Sequence, residues 1–366
     1  MKRILIGPRK YVQGAGVLSE LGDYVKLFGT RPLLLWGPNG RNAVGDQVIQ
    51  SLGEAGIEPV PVLFGGQCTR AEAQRVAGLA TERKVDVLVA LGGGKVIDTG
   101  RAAAHFSGKP FISVPTIAAT DAPVSAGTVW YDEQGTCVGF DWWPFNPDVV
   151  LVDTAVIAAA PVRAFVAGIG DALATWLEAE ASNRSRAVAL SGGGPTLAAL
   201  ALARLCNDTL LEFGLAAKSA VEAHVVTPAV EKVVEATVLL SGIGFESGGL
   251  ASAHSLALAL PSLPECHGLM HGEMVAFGIM TQLCLDEDLG TERVERIARF
   301  LADVGLPLTL ADLGINDLPQ ERLDALAAAA AGAGALCHAH VFEVTPASMA
   351  AAIVAADALG RRIRKR

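Results

Sequence analysis

Short apolar runs alternate with helix-spaced segments over the first part of the chain. Residues 32–36, 58–64, 85–91 and 111–114 read as strands, the third of them apolar enough to be buried on both faces. Between them, residues 44–55, 70–83 and 95–105 repeat their apolar positions every three or four residues and read as helices. Strands that alternate with helices build a parallel sheet covered on both sides. The texture changes after about Pro161. Long Ala/Leu-rich helical patterns follow over 164–182, 196–213, 230–245, 273–285, 293–304 and 346–360, with few β-branched runs between them. The Ala-rich stretch 327–333 reads as a helix running into a Gly-containing turn. The pattern predicts two domains, an α/β domain over residues 1–160 with a Rossmann-like parallel sheet and an all-α domain over 161–366.

Composition narrows the classes. With 51% apolar and only 18% charged residues, the 366-residue chain can bury a core in each domain, and disorder is excluded. A formal net charge of −9 argues against a nucleic-acid or anionic-membrane partner. The basic run 361–366 reads as a solvated tail. The 6 cysteines are scattered without a C-x-x-C pair, which argues against a disulfide framework or a structural zinc cluster and fits a reducing cytoplasm. Gly7, Pro8 and several charges interrupt the start before any signal-type apolar region develops, and no apolar stretch reaches membrane-spanning length. The expectation is a soluble, cytoplasmic protein.

The apolar run 85–91 leads straight into Gly92-Gly93-Gly94-Lys95, and Val96-Ile97-Asp98-Thr99 begins a helix. Glycines let backbone N–H groups approach an anion, and a helix N-terminus favours negative charge, so the turn suits a pyrophosphate. It is neither G-x-G-x-x-G nor a Walker loop, and a tight strand–helix connection needing positive φ explains the same glycines. A second segment, Pro115-Thr116-Ile117-Ala118-Ala119-Thr120-Asp121-Ala122-Pro123-Val124-Ser125, gathers hydroxyls and a carboxylate directly after the fourth strand. Parallel sheets bind ligands at such strand ends, although Asp121 could equally cap a turn.

Three segments of the helical part carry candidate metal ligands. Asp171 sits near the start of a long helix in Gly168-Ile169-Gly170-Asp171, His254 in the Ala-rich Ser252-Ala253-His254-Ser255, and His271 at the head of another helix in His271-Gly272-Glu273. One carboxylate and two imidazoles suit a catalytic zinc with an open position. Each has a plainer reading: Asp171 as a helix cap, His254 as a hydrogen-bonded core histidine. His267 is an alternative to His271, and His338 and His340 form a spare pair.

Taken together, these segments resemble the glycerol dehydrogenase branch of the iron- and zinc-dependent, group III alcohol dehydrogenases. The resemblance runs over nearly the whole chain, from Lys10-Tyr11-Val12-Gln13-Gly14 through Gly92-Gly93-Gly94-Lys95, Pro115-Thr116 and Thr120-Asp121-Ala122-Pro123. It continues through Gly168-Ile169-Gly170-Asp171-Ala172-Leu173-Ala174-Thr175-Trp176, Gly244-Phe245-Glu246-Ser247-Gly248-Gly249-Leu250, Ala253-His254 and His271-Gly272-Glu273. It implies a dehydroquinate synthase-like two-domain architecture, with a nucleotide-binding domain followed by a helical metal-binding domain. It implies Asp171, His254 and His271 as zinc ligands that also meet substrate, and Asp121 as the catalytic residue that hydrogen-bonds a substrate hydroxyl. It places Gly93, Gly94, Lys95, Asp98, Thr116, Ala119, Ser125, Gly127 and Tyr131 at NAD. The implied activity is NAD-dependent oxidation of glycerol, or a related small polyol, to dihydroxyacetone. The implied assembly is a homo-oligomer, often an octamer.

Iron-type relatives resemble Asp-x-x-x-His at the first ligand helix, whereas the residue four after Asp171 is Thr175, which favours zinc with two substrate oxygens. The branch usually carries an Asp after the second dinucleotide strand. Trp36-Gly37-Pro38-Asn39-Gly40-Arg41 has none, so NADP stands as an alternative cofactor, with another polyol or a hydroxyketone as substrate. Ala257-Leu258 and His340-Val341-Phe342-Glu343 also depart from the family pattern. Relatives with phosphorylated substrates need Lys or Arg near the metal, and none lies between Leu250 and Met270. A non-catalytic nucleotide- or metal-binding protein on the same fold is the remaining rival.

Overall fold

The computed structural model describes residues 2–365 and divides into two compact units. One comprises residues 6–165 and 219–242, the other residues 2–5, 166–218 and 243–365. Met1 and Arg366, the ends of the expected domains, lie outside the described residues.

The first unit is built on a six-stranded parallel sheet and a two-stranded hairpin. Its strands are β1 (Tyr11–Gly14), β2 (Pro32–Trp36), β3 (Val60–Leu63), β4 (Val87–Gly92), β5 (Phe111–Pro115), β6 (Gly127–Tyr131), β7 (Cys137–Trp142) and β8 (Val149–Asp153). The sheet order is β1-β8-β5-β4-β2-β3, and β6 pairs with β7 antiparallel. β2, β4, β5 and β8 are buried along their whole length, as uninterrupted apolar runs require when helices cover both faces. β2 lies between β3 and β4, so the chain reverses its direction of travel across the sheet at the β2/β4 pair. Open parallel sheets bind ligands beyond the carboxyl ends of strands at such a reversal. Trp36 pairs with Leu91, which sets the end of β2 beside the glycine turn after β4.

The four strands and three helices expected here are present, with ends shifted by a few residues. β1, β8 and the hairpin were not predicted. β8 occupies an interior position from Val149-Val150-Leu151-Val152, and the short helix Thr154–Ala159 follows it directly.

The second unit is helical. The helix His271–Leu285 packs against Ser252–Ala259 and Pro346–Arg364, and Gln320–Ala330 lies against those same two helices. The division of the chain differs from the expected 160/161 boundary. Residues 219–242 go with the sheet because Glu231, on the helix Pro228–Glu235, is tied to it: its carboxylate accepts from Gln13 Nε2 at 2.8 Å and Thr154 Oγ1 at 2.6 Å. Periodicity reveals a helix without revealing which core it joins. The expected single helix 230–245 is three pieces, Pro228–Glu235, a π-helical turn Ala236–Leu240 and Ser241–Gly248. Within its described residues, the basic run is not a free tail. Arg361, Arg362 and Arg364 end the helix Pro346–Arg364 and pair with Asp357, Glu295 and Asp312, where positive charge also suits the helix dipole. Among the described residues, no single helix is long and apolar enough to cross a membrane.

Candidate metal centre and nucleotide turn

In the sheet unit, Gly93 is extended and caps the helix Gly94–Ser107, so the first-turn N–H groups of Gly94 and Lys95 have no intrahelical partner. A Cβ placed on Gly94 would lie 3.7 Å from Thr120 Oγ1, which locates the Thr120-Asp121 loop beside this turn. Thr116 N–H donates to Gly92 O at 3.1 Å, joining the loop to the end of β4. Lys95 Nζ donates to Gln67 Oε1 at 2.6 Å and sits 4.5 Å from the Tyr131 ring centroid, and burial lowers the pKa of this ammonium. Burial likewise raises the Tyr131 phenol. Ser125 Oγ accepts from Gly127 N–H at 3.1 Å, and Ala119 is partly exposed.

Asp98 is placed differently from the other expected cofactor contacts. Its side chain is buried, Oδ1 bonds Arg101 Nη1 at 2.6 Å and Oδ2 accepts from Val129 N–H at 3.0 Å. The carboxylate is spent inside the protein. Burial pushes its pKa up against the pull of Arg101. Arg101 itself, only 3% exposed, also donates to Gly127 O and Ala122 O and so ties the helix to the Asp121 loop. Nothing in its sequence surroundings marked it.

In the helical unit, Asp171, His254 and His271 come together. Asp171 Oδ1 lies 3.3 Å from His254 Nε2 and 3.5 Å from His271 Nε2, and one donor atom from each residue falls within 4.8 Å of the others. Ligands bound to zinc at about 2.1 Å with tetrahedral angles sit about 3.4 Å apart, so the donor set and the two distances from Asp171 fit that ion. The helix carrying Asp171 runs Val162–Ser185, so Asp171 is well inside it and the capping alternative falls away. Two glycines permit the approach: a Cβ on Gly272 would meet Ala167 O at 1.7 Å, and one on Gly170 would meet Gly272 O at 2.4 Å. The helix bearing His271 therefore reaches the Asp171 helix backbone to backbone.

Glu178, fully buried, holds His254. Its Oε2 lies 2.5 Å from His254 Nδ1, and its Oε1 accepts from the N–H groups of Ala251 and His254 at 2.9 Å. With Nδ1 so engaged, Nε2 faces Asp171 and His271. Burial opposes protonation of His254, but the Glu178 charge, with the hydrogen bonds the ring donates to Asp171 and Glu178, raises its pKa well above the ordinary value. Desolvation holds His271 below its own, with Asp171 pulling upward and His254 adding to the fall. Glu178 was missed, though a signal existed: seven residues after Asp171 is two turns along one helix face.

The alternatives lie elsewhere. His267 Nε2 is on Pro261 O at 3.1 Å, His338 Nε2 on Gly332 O at 2.9 Å, and His340 Nε2 on Ser252 Oγ at 2.8 Å. The Cys266 thiol is pushed up to about 11, burial first and Glu265 second, so it stays protonated. Asp121, in the sheet unit, accepts a hydrogen bond from Ser241 Oγ at 2.5 Å.

Comparison with known proteins shows the family. The profile of the family described as iron-containing alcohol dehydrogenase matches residues 8–154. A glycerol dehydrogenase from Escherichia coli O6:H1 is 45% identical over 362 residues, covering 99% of this chain and 98% of that protein. A glycolaldehyde reductase from Halobacterium salinarum is 41% identical over 366 residues, 100% of both. The crystal structure of glycerol dehydrogenase from Schizosaccharomyces pombe superposes with a TM-score of 0.95 at 35% identity, covering 100% of this chain and 92% of that one. The chain belongs to the iron-containing alcohol dehydrogenase family.

Proposed function

We propose that this protein is a zinc-dependent dehydrogenase that oxidises glycerol, or a related vicinal diol, with NAD as hydride acceptor and dihydroxyacetone as the product from glycerol. The observation that carries the reading is the Asp171–His254–His271 cluster, with Asp171 at ligand spacing from both imidazoles and Glu178 fixing the imidazole of His254. When bound there, the metal lowers the pKa of a substrate hydroxyl toward neutrality. Three protein donors leave positions for two oxygens of a diol, and Thr175 does not add the imidazole that iron-type relatives carry four residues after the Asp. NAD, when bound, takes the hydride.

The remaining work belongs to the chain. Gly93, Gly94 and Lys95 present N–H groups and helix-terminal charge to the pyrophosphate. Thr116, Ala119, Ser125, Gly127 and Tyr131 are proposed to contact the rest of the cofactor, whereas Asp98 serves by bracing Arg101 and Val129. Asp121 accepts a hydrogen bond from the hydroxyl neighbouring the one oxidised and thereby fixes which carbon faces the nicotinamide. A cytoplasmic homo-oligomer, as the sequence resemblance implies, is part of the same proposal.

A second reading keeps the chemistry and changes the cofactor to NADP. β2 ends at Trp36, Gly37 caps the helix Pro38–Glu54 without a side-chain bond, and its first turn holds no acidic residue but does reach Arg41. A 2′-phosphate would meet no carboxylate there. The name of the Halobacterium relative points to short hydroxyaldehydes as substrates under this reading.

The test is nicotinamide reduction with glycerol, run with NAD and NADP in parallel, before and after chelation. Turnover that a chelator abolishes and zinc restores supports the dehydrogenase. The faster cofactor decides between the two readings. Absence of turnover across a panel of diols and hydroxyaldehydes overturns both in favour of a non-catalytic relative.

A further inference from the structure

We infer that Ser241 is a positioning residue for Asp121, and that the π-helical turn before it exists to deliver its hydroxyl. The inference rests on the reading that Asp121 holds a substrate hydroxyl. Ser241 Oγ donates to Asp121 Oδ2 at 2.5 Å, a charge-assisted bond at short range, across 120 residues of sequence and wholly within the sheet unit. Ser241 is fully buried and Asp121 half-buried, so the hydroxyl is held in place by its surroundings.

The backbone is shaped around this contact. Ala236–Leu240 forms a π-helical turn inside an otherwise α-helical run. Successive residues of an α-helix are about 100° apart around the axis, so one extra residue in a turn rotates everything after it by about that angle. Without the π turn, the hydroxyl at 241 would point away from the loop. Gly242 follows directly. A Cβ there would lie 2.8 Å from Val124 Cβ and 3.4 Å from Asp121 O, so only glycine admits the helix this close to the loop.

The loop is held on its other sides as well. Arg101 donates to Ala122 O, and Asn146 Nδ2 donates to Val124 O at 3.0 Å. Those two bonds fix the main chain just after Asp121, while Ser241 holds the carboxylate itself. A carboxylate with one oxygen anchored presents the other in a narrow range of directions. A freely rotating one would spend binding energy on its own ordering.

The experiment is a double-mutant cycle on the metal-loaded protein with glycerol, using Ser241→Ala, Asp121→Ala and the pair. Alone, Ser241→Ala is expected to raise KM for glycerol about tenfold, with a melting temperature within about 2 °C of wild type, because it removes one hydrogen bond to a charged group. In the Asp121→Ala background the same change should alter kcat/KM less than about twofold, since the group it positions is gone. A structural defect would instead lower kcat at unchanged KM by removing active molecules, and that result overturns the proposal. An equal loss in both backgrounds, or no loss in either, also overturns it. Wild-type protein with no turnover of glycerol removes the reading of Asp121 on which the proposal rests, an outcome distinct from any of these.

Discussion

The imidazole of His254 has two nitrogens, and its surroundings give each a separate task. Nδ1 is held by Glu178 at 2.5 Å, leaving Nε2 for the Asp171 side at 3.3 Å. Glu178 anchors the same segment twice more through the N–H groups of Ala251 and His254, so ring and backbone are oriented by one carboxylate. Replacing Glu178 by Gln should weaken zinc binding about 10- to 100-fold, the usual consequence of losing a group that orients a ligand histidine. Titration with a competing chelator measures it, and unchanged affinity would show that the ring is held without Glu178. Of this cluster, Asp171, His254 and His271 were legible as residue types that bind metals. Glu178 was not singled out: its place two turns after Asp171 on one helix face was readable, but its contact with His254 belongs to the tertiary structure.

Helix contacts decide whether those residues meet. The helices Val162–Ser185 and His271–Leu285 touch at Gly170 and Gly272, where any side chain would strike a backbone carbonyl. Gly272→Ala should therefore force the helices apart, costing about 1–3 kcal/mol as overpacking and lowering bound zinc in the purified protein. Gly268→Ala is the control, since a Cβ at that position meets nothing within 4 Å. Metal content by elemental analysis and thermal melts of both variants check the claim, and equal behaviour of the two would refute it. The glycines were visible in sequence beside Asp171 and His271. Their purpose was not, because close approach is a property of two helices and neither sequence segment contains both. The same holds for the helix at 228–248: its apolar period was readable, but the π turn depends on what Ser241 and Gly242 face.

At the scale of the whole molecule, the candidate metal donors all lie in the helical unit and the glycine turn in the sheet unit. Each ligand should then stabilise its own unit first. At 100 times its Kd, zinc adds about 2.7 kcal/mol to the form that binds it. Hydrogen exchange with zinc alone is expected to slow in the helices Val162–Ser185, Ser252–Ala259 and His271–Leu285, and with NAD alone in the helix Gly94–Ser107 and the loop after β5. Zinc protection confined to the sheet unit would contradict the ligand assignment.

The sequence by itself determined the alternation of strands and helices, the apolar character of the interior strands, and the change to helices after Pro161, because these follow from periodicity within a few residues. It also held the motif series by which the chain resembles its family. Tertiary structure alone decided that 219–242 joins the sheet, that β8 sits between β5 and β1, and that Asp98 turns inward to Arg101. It alone brought Asp171 and His254 together across 83 positions, and Ser241 to Asp121 across 120. The reason is physical: local propensity sets which element forms, whereas the partner of a side chain is set by packing between elements distant in the chain, whose apolar faces bury together without recording in either segment where the other will lie.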